Sequence, residues 1–203
     1  MIIIVDMDEV LCETHRCWLS QYNSITKEGV GPDSVTHYKV ARFVKQPKIL
    51  YELMNSYCFF ANLPPVSGAK KALKTLVEKG HNVIIATSVC HEFVHTETGK
   101  RQWIKKHLPW FHQDNLIFIR HKYLLRGDLL IDDRIENIAT FPGRTLIFDR
   151  PHNREYNASC RVKNWGEILL HVEELKNSIS KSPRTYEQFA LLKGEEWDVS
   201  KYM

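Results

Sequence analysis

The chain has 203 residues, 43% hydrophobic and 26% charged, with a formal net charge of +4 at pH 7. That suffices for one α/β domain with a modest insertion and a real core, and falls short of two full domains. No apolar run approaches the roughly 20 residues of a membrane span, no Lys/Arg block occurs, and the apolar N-terminus lacks a basic flank. A membrane anchor, a secretory leader and obligatory nucleic-acid binding are therefore not expected, and the cytoplasm is the expected location.

Taken in chain order, short apolar runs end in polar or acidic residues. They are Ile2–Val5 ending at Asp6, Val83–Ala86 ending at Thr87-Ser88, Leu116–Ile119, Leu129–Ile131 ending at Asp132-Asp133, and Thr145–Phe148 ending at Asp149. Such Ile/Val-rich runs suit strands buried on both faces of a parallel sheet. Helical periodicity lies between them. Gly68–Lys79 places Ala69, Ala72, Leu73, Leu76 and Val77 in phase and stops at Gly80; Thr98–Leu108 stops before Pro109; Trp165–Leu175 is a third helix. Alternating strands and helices predict a three-layer α/β/α core around a parallel sheet.

The connection from the first strand to Gly68 is too long for a structureless loop in a compact domain. It is rich in aromatics, including Trp18, Tyr22, Tyr38, Phe59 and Phe60. Residues 11–65 are expected to form a small helical cap over the carboxyl edge of the sheet. Residues 1–10 and 66–175 would form the core, and 176–203 a polar tail, docked as a helix or frayed. Five cysteines, Cys12, Cys17, Cys58, Cys90 and Cys160, show no CxxC spacing. They read as reduced, mostly buried thiols rather than a disulfide framework or zinc site.

Ligands of open parallel sheets bind outside the carboxyl ends of the strands. Those ends here carry Asp6, Asp8, Thr87, Ser88, Asp132 and Asp133. Any one of them alone is an ordinary turn or cap residue. Together they would crowd carboxylates at one edge, a conflict that a hard divalent cation with oxygen ligands resolves. Asp6 and Asp8 share a face of an extended strand, so both can approach one phosphoryl group, one as nucleophile and one as proton donor. A cation and a lysine would neutralise the transferred oxygens. Lys122, ten residues before Asp132, is the candidate lysine.

This ordered set, Asp6-Met7-Asp8, Thr87-Ser88, Lys122 and Asp132-Asp133, resembles the haloacid dehalogenase (HAD) superfamily of phosphatases. The stretches Asp6–Leu11, Phe59–Ala69, Ala86–Ser88 and Lys122 through Arg134 narrow the resemblance to the 5′(3′)-deoxyribonucleotidase family. Phe148–Asn153 and Val162–Leu169 look like that family's closing segments, so the likeness covers roughly residues 1–172. It implies a Mg²⁺-dependent phosphomonoesterase that converts (deoxy)nucleoside monophosphates to nucleoside and phosphate through an aspartyl-phosphate. Asp6 would be the nucleophile and Asp8 the general acid/base. Thr87, Ser88 and Lys122 would hold the phosphate. Asp6, the Asp8 carbonyl, Asp132 and, through water, Asp133 would hold the metal.

The helical cap would close over the base. Phe59 and Phe60 occupy positions of pocket aromatics in that family, where base stacking and packing of the cap core are both open readings. Thr14 stands where an aromatic is common, Glu9 where Gly usually follows the second Asp, and Val89-Cys90-His91 replaces a proline-containing turn. Arg120 could share the Lys122 face toward phosphate. His91 and His95 are read as surface residues, and the five tryptophans as packing. The expected partner is a small nucleotide, without nucleic acid or membrane; the family is often homodimeric. Two other functions stay open: a HAD phosphatase for another small phosphorylated metabolite, and a catalytically silent nucleotide-binding protein.

Overall fold

A computed structural model describes residues 1–90 and 93–179. The core is a six-stranded, all-parallel sheet in the order β3-β2-β1-β4-β5-β6. Its strands are β1 (Ile2–Val5), β2 (Asn82–Thr87), β3 (Leu116–Phe118), β4 (Leu129–Asp132), β5 (Arg144–Phe148) and β6 (Arg161–Val162). Helices α1 (Thr14–Thr26), α2 (Pro47–Met54), α3 (Ala69–Glu78), α4 (Thr96–His107), α5 (Ile135–Thr140) and α6 (Trp165–Ile179) supply the remaining regular structure, with short 3₁₀ turns between them. Five strands and three of the helices correspond to the predicted runs. The short α5 and the two-residue edge strand β6 do not; both are too short for hydrophobic periodicity to mark.

The two-residue side-chain period of a strand divides the core. Ile3, Val5, Leu129 and Ile131 join the large buried cluster with Leu73 of α3, Trp103 of α4 and Ile168 of α6. Ile4, Ala86 and Leu130 face the other side, where Phe141 covers them. A third cluster joins Ile147 of β5 to Ile135 and Ile138 of α5. Burying each such Leu or Ile contributes about 1.5–3 kcal/mol, so the alternation fixes the strand register. Within α3, Ala69, Ala72, Leu73 and Leu76 are buried. Val77, in phase with them in sequence, lies at the stripe's edge and is 40% exposed. Gly80 ends the helix region at φ +80, a conformation that favours glycine.

Residues 11–65 carry α1, α2 and three 3₁₀ turns, at Pro32–Ser34, Val40–Phe43 and Phe60–Asn62. One continuous buried cluster runs from them into the core, through Trp18, Leu19, Tyr22, Leu50, Phe59, Phe60 and Leu63. Three tryptophans tie this segment and the turn that enters it down with hydrogen bonds as well as area. Trp18 Nε1 donates to Leu50 O (2.6 Å), Trp103 Nε1 to Leu63 O (2.7 Å) and Trp165 Nε1 to Val10 O (3.0 Å). A buried indole N–H needs such a partner. All five cysteines are free thiols, but only Cys12 is fully buried, and Cys58 is exposed. Among the described residues no helix is long and apolar enough to cross a membrane. The tail beyond residue 179, and His91 of the His91/His95 pair, lie outside the described residues.

Candidate active site

The parallel register delivers the strand ends to one level. Val5 lies opposite both Ile85 of β2 and Ile131 of β4. One residue further, Asp6 emerges beside Ala86 and Asp132, and its N–H still donates to Ile131 O (2.9 Å). The chain then turns sharply: Leu11 and Cys12 N–H both donate to Met7 O, and Glu9 adopts φ 59. That left-handed φ favours glycine, the residue expected there.

Asp6, Asp132 and Asp133 each present a carboxylate oxygen within 4.8 Å of the others, and all three are buried. Lys122, 2% exposed, contacts Asp6 Oδ1 and Asp132 Oδ2. Asn137 Nδ2 and the Arg134 N–H also donate to Asp132, at 2.9 and 2.8 Å. Burial, and then the neighbouring carboxylates, push the Asp6 carboxyl up to about 8 despite Lys122. Burial likewise raises Asp132. Burial disfavours the Lys122 ammonium, but Asp132 and Asp6 outweigh it and hold its pKa above the usual lysine value. One ammonium is thus short of neutralising three buried carboxylates. The donor set is all oxygen, which fits a hard divalent cation; the fold and this cluster imply one.

Asp8 is turned differently. Its carboxylate accepts from Lys100 Nζ (2.6 Å) and Thr14 Oγ1 (2.9 Å). Lys100 is 1% exposed, also donates to Thr87 Oγ1 and Ser88 O at 2.7 Å, and lies 5.2 Å from the Phe60 ring centroid. Sequence reading missed Lys100, which sits among other cations in a polar helix. The available signal was its phase: it shares one face of α4 with buried Trp103 and Ile104, three and four residues on.

The segment after β5 buttresses the Asp133 loop. His152 Nε2 lies 2.8 Å from Asp133 Oδ2, and Asn153 Nδ2 donates to Asp133 O (2.7 Å) and Phe148 O (2.8 Å). Burial opposes ionisation of Asp133, yet the His152 hydrogen bond and charge hold its pKa below the usual value. Arg150 Nε donates to Glu9 O (2.6 Å) and lies 3.6 Å from the Glu9 carboxylate, which also accepts from the His15 N–H (2.6 Å). These bonds hold residue 9 in its unusual conformation.

Over the cluster lies a cavity of about 380 Å³. Asp6, Asp8, Ser88, Lys122 and Asp133 line one part; Trp18, Tyr51, Phe60 and Phe93 form an aromatic part. Thr14 and Arg120 also line it. Phe59 does not: it packs edge-on against Trp18 and Phe60, and Phe60, as deeply buried as Phe59, is the one that reaches the cavity wall. Thr87 is fully buried, its hydroxyl engaged by Lys100.

Residues 1–175 match the family described as 5′ nucleotidase, deoxy (pyrimidine), cytosolic type C protein. A 5′(3′)-deoxyribonucleotidase of Bacillus subtilis is 27% identical over 167 residues, spanning 82% of this chain and 95% of that protein. One of Clostridium acetobutylicum is 30% identical over 178 residues, spanning 85% and 95%. The crystal structure of a HAD family hydrolase from Deinococcus radiodurans, with bound phosphate and sodium, matches with a TM-score of 0.58 at 13% identity, over 86% of this chain and 96% of that one. This last likeness establishes a HAD-type fold. Because the sequence match runs from the first strand through β6 and into α6, and carries every strand end described above, the chain belongs to the cytosolic type C 5′ (deoxy, pyrimidine) nucleotidase family.

Proposed function

We propose that the protein is a Mg²⁺-dependent phosphomonoesterase that releases phosphate from (deoxy)nucleoside monophosphates through an aspartyl-phosphate on Asp6. One observation carries the reading: a buried cluster of three carboxylates and a lysine presents Asp6, Asp133 and Lys122 to one part of a cavity whose other part is aromatic. Such a cavity suits a small ligand with one anionic and one flat apolar end. The 5′(3′)-deoxyribonucleotidase activity for which the Bacillus and Clostridium relatives are named supports the same substrate class.

In this reading Asp6, the Asp8 carbonyl, Asp132 and, through water, Asp133 would hold Mg²⁺. The bound ion supplies the positive charge that keeps Asp6 ionised and offsets charge on the phosphoryl oxygens. An Asp6 carboxylate oxygen attacks phosphorus in line with the ester oxygen. The P–O bond to the nucleoside breaks, and Asp8, acting as general acid, gives a proton to the departing oxygen. Asp8, now a carboxylate, takes a proton from a water that attacks the phosphorus of the acyl phosphate. Phosphate leaves, and Asp6 regains its carboxylate. Lys122 and Ser88 bind the phosphoryl oxygens throughout, and Thr87 holds Lys100 in place. Residues 11–65 act as the cap, with Phe60 rather than Phe59 available to a base.

The test is phosphate release from a panel of nucleoside monophosphates with Mg²⁺. Release from dUMP or dTMP, abolished by Asp6→Asn and by chelator, is expected. Release from an aryl phosphate but from no nucleotide would keep the chemistry and overturn the substrate class.

A further inference from the structure

A second cavity, of about 670 Å³, opens beside the one that holds Asp6. The two share Tyr38, Lys39, Arg120, Arg134 and Asn137 as walls. Four cationic side chains line the second cavity: Lys39, Arg42, Arg120 and Arg134. His37 and His121 also line it, and among the described residues Glu136 is the one carboxylate in the lining. Glu136 is engaged, its Oε2 lying 3.5 Å from Arg134 Nε. Among the described residues Lys39, Arg42 and Arg120 have no carboxylate ion pair. Burial first, then the charges of Arg42 and Lys39, hold the His37 pKa below the usual value, with Glu136 and Glu155 opposing them.

The position matters as much as the charge. Arg134 follows Asp133 directly, its N–H donates to Asp132 Oδ1, and its guanidinium lies 4.4 Å from the Tyr38 ring centroid. Arg120 stands two residues before Lys122. The wall between the cavities is therefore built on the same strand ends as the carboxylate cluster. Cations scattered over a mildly basic surface need no ligand. These converge on one concavity that opens to the phosphate site, where their mutual repulsion is relieved by an anion.

We propose that this annex binds a second phosphate of the substrate, so that the protein prefers nucleoside 3′,5′-bisphosphates to monophosphates. The inference rests on the nucleotide reading above. The scissile phosphate sits at Asp6, the base enters the aromatic part of the cavity, and the other phosphate of the same ribose reaches the Arg42 and Arg120 guanidinium groups. Water is consumed, one phosphate is released, and the nucleoside monophosphate carrying the remaining phosphate departs.

The test uses Asp6→Asn protein with Mg²⁺, and calorimetric titration with thymidine 5′-monophosphate and thymidine 3′,5′-bisphosphate, alongside kcat/KM for both with the wild-type enzyme. The bisphosphate is expected to bind about tenfold more tightly, the effect of one added charged hydrogen bond. Arg42→Glu, at an exposed position lining only the annex, is expected to erase that ratio. Equal affinities, or a ratio untouched by Arg42→Glu, would overturn the proposal. So would a 5′-phosphorylated dinucleotide that shows a larger Arg42-dependent gain, because the annex would then take a strand end. An Arg42-dependent preference in binding without turnover of either ligand would uphold the annex and sink the hydrolase reading. Turnover of the monophosphate with no preference would do the reverse.

Discussion

Replacing Lys100 with methionine separates a support of the chemistry from a support of the fold. Methionine keeps most of the apolar stem against Phe60 and removes only the ammonium. That ammonium makes hydrogen bonds of 2.6 Å to Asp8 and 2.7 Å to Thr87 Oγ1 and Ser88 O. Leaving the buried Thr87 hydroxyl without this partner costs about 1–3 kcal/mol. Relief of the desolvated charge offsets part of that, since a buried ion pair contributes little net stability. The Asp8 carboxylate is 30% exposed and can regain water. A net loss of about 1–2 kcal/mol follows.

Activity responds far more strongly. In the proposed mechanism, Asp8 held by Lys100 and Thr14 presents one geometry to the leaving oxygen; freed, it samples several. General acid/base catalysis contributes about 10²–10⁴-fold, and misplacing its proton donor is expected to remove about 10²-fold of kcat. KM should change little, because Lys100 is not expected to touch substrate. Arginine should not rescue, as its planar fork does not fit a site built around a point charge. Steady-state kinetics with urea unfolding of the same preparation decides. A Lys100→Met enzyme within threefold of wild-type kcat would refute the positioning role. A collapse in stability would make the residue structural.

Adding Mg²⁺ should raise the thermal midpoint, by the equivalent of about 2.7 kcal/mol at a hundred times its dissociation constant, with chelator reversing it; no shift in wild type, or the same shift in Asp132→Asn, would remove the carboxylate cluster as the cation site. Gly99→Ala in α4 should destabilise by about 1–3 kcal/mol despite a helix-propensity gain of about 1 kcal/mol. The new Cβ would lie 2.9 Å from Phe60 Cβ and 3.3 Å from the Ala61 N, so stabilisation in urea unfolding would show that residues 60–62 yield freely. Glu9 tests linkage. Burial, only partly offset by Arg150, raises its carboxyl from the usual 4.5 to about 7. A raised pKa contributes stability that is present below 4.5 and lost as pH rises through 7. Stability of wild type relative to Glu9→Gln should therefore fall by about 3 kcal/mol between pH 4.5 and pH 8, measured by urea unfolding at both; a flat difference would refute it.

What could be read in one dimension depended on how far physics restricts the residue type. β1, β2, β4 and β5 lie inside the sheet, so their residues must be apolar on both faces, and their runs were plain in the sequence. The edge strand β6, two residues long, needs no such run, and α5 offers only Ile135 and Ile138 as a stripe. The length and aromatic content of residues 11–65 required helices, but not which aromatic meets the cavity. Phe59 and Phe60 are adjacent, chemically identical and both part of the buried core, and only the fold also brings Phe60 to the cavity wall beside Lys100.

The same distinction runs through the site. The proposed roles of nucleophile, phosphate-binding ammonium and oxygen donor admit few side chains, and the strand ends fix where they stand. Asp6, Lys122, Asp132 and Asp133 were therefore legible, and the fold brings them together. The groups that hold them need only offer a hydrogen bond at the right distance, and almost any polar residue from any element can do so. Thr14, expected only as a departure at a pocket position, proves to anchor Asp8 from within six residues, and Lys100 anchors it from 92 residues away. Glu9 shows the cost of crossing that line. Where glycine would satisfy the turn by itself, a glutamate at φ 59 needs Arg150, from 141 residues away, and the His15 N–H to keep its place. A strained residue held in part by a side chain so remote in sequence resists drift: loss of Arg150 exposes the strain, and the turn it holds carries Asp6 and Asp8.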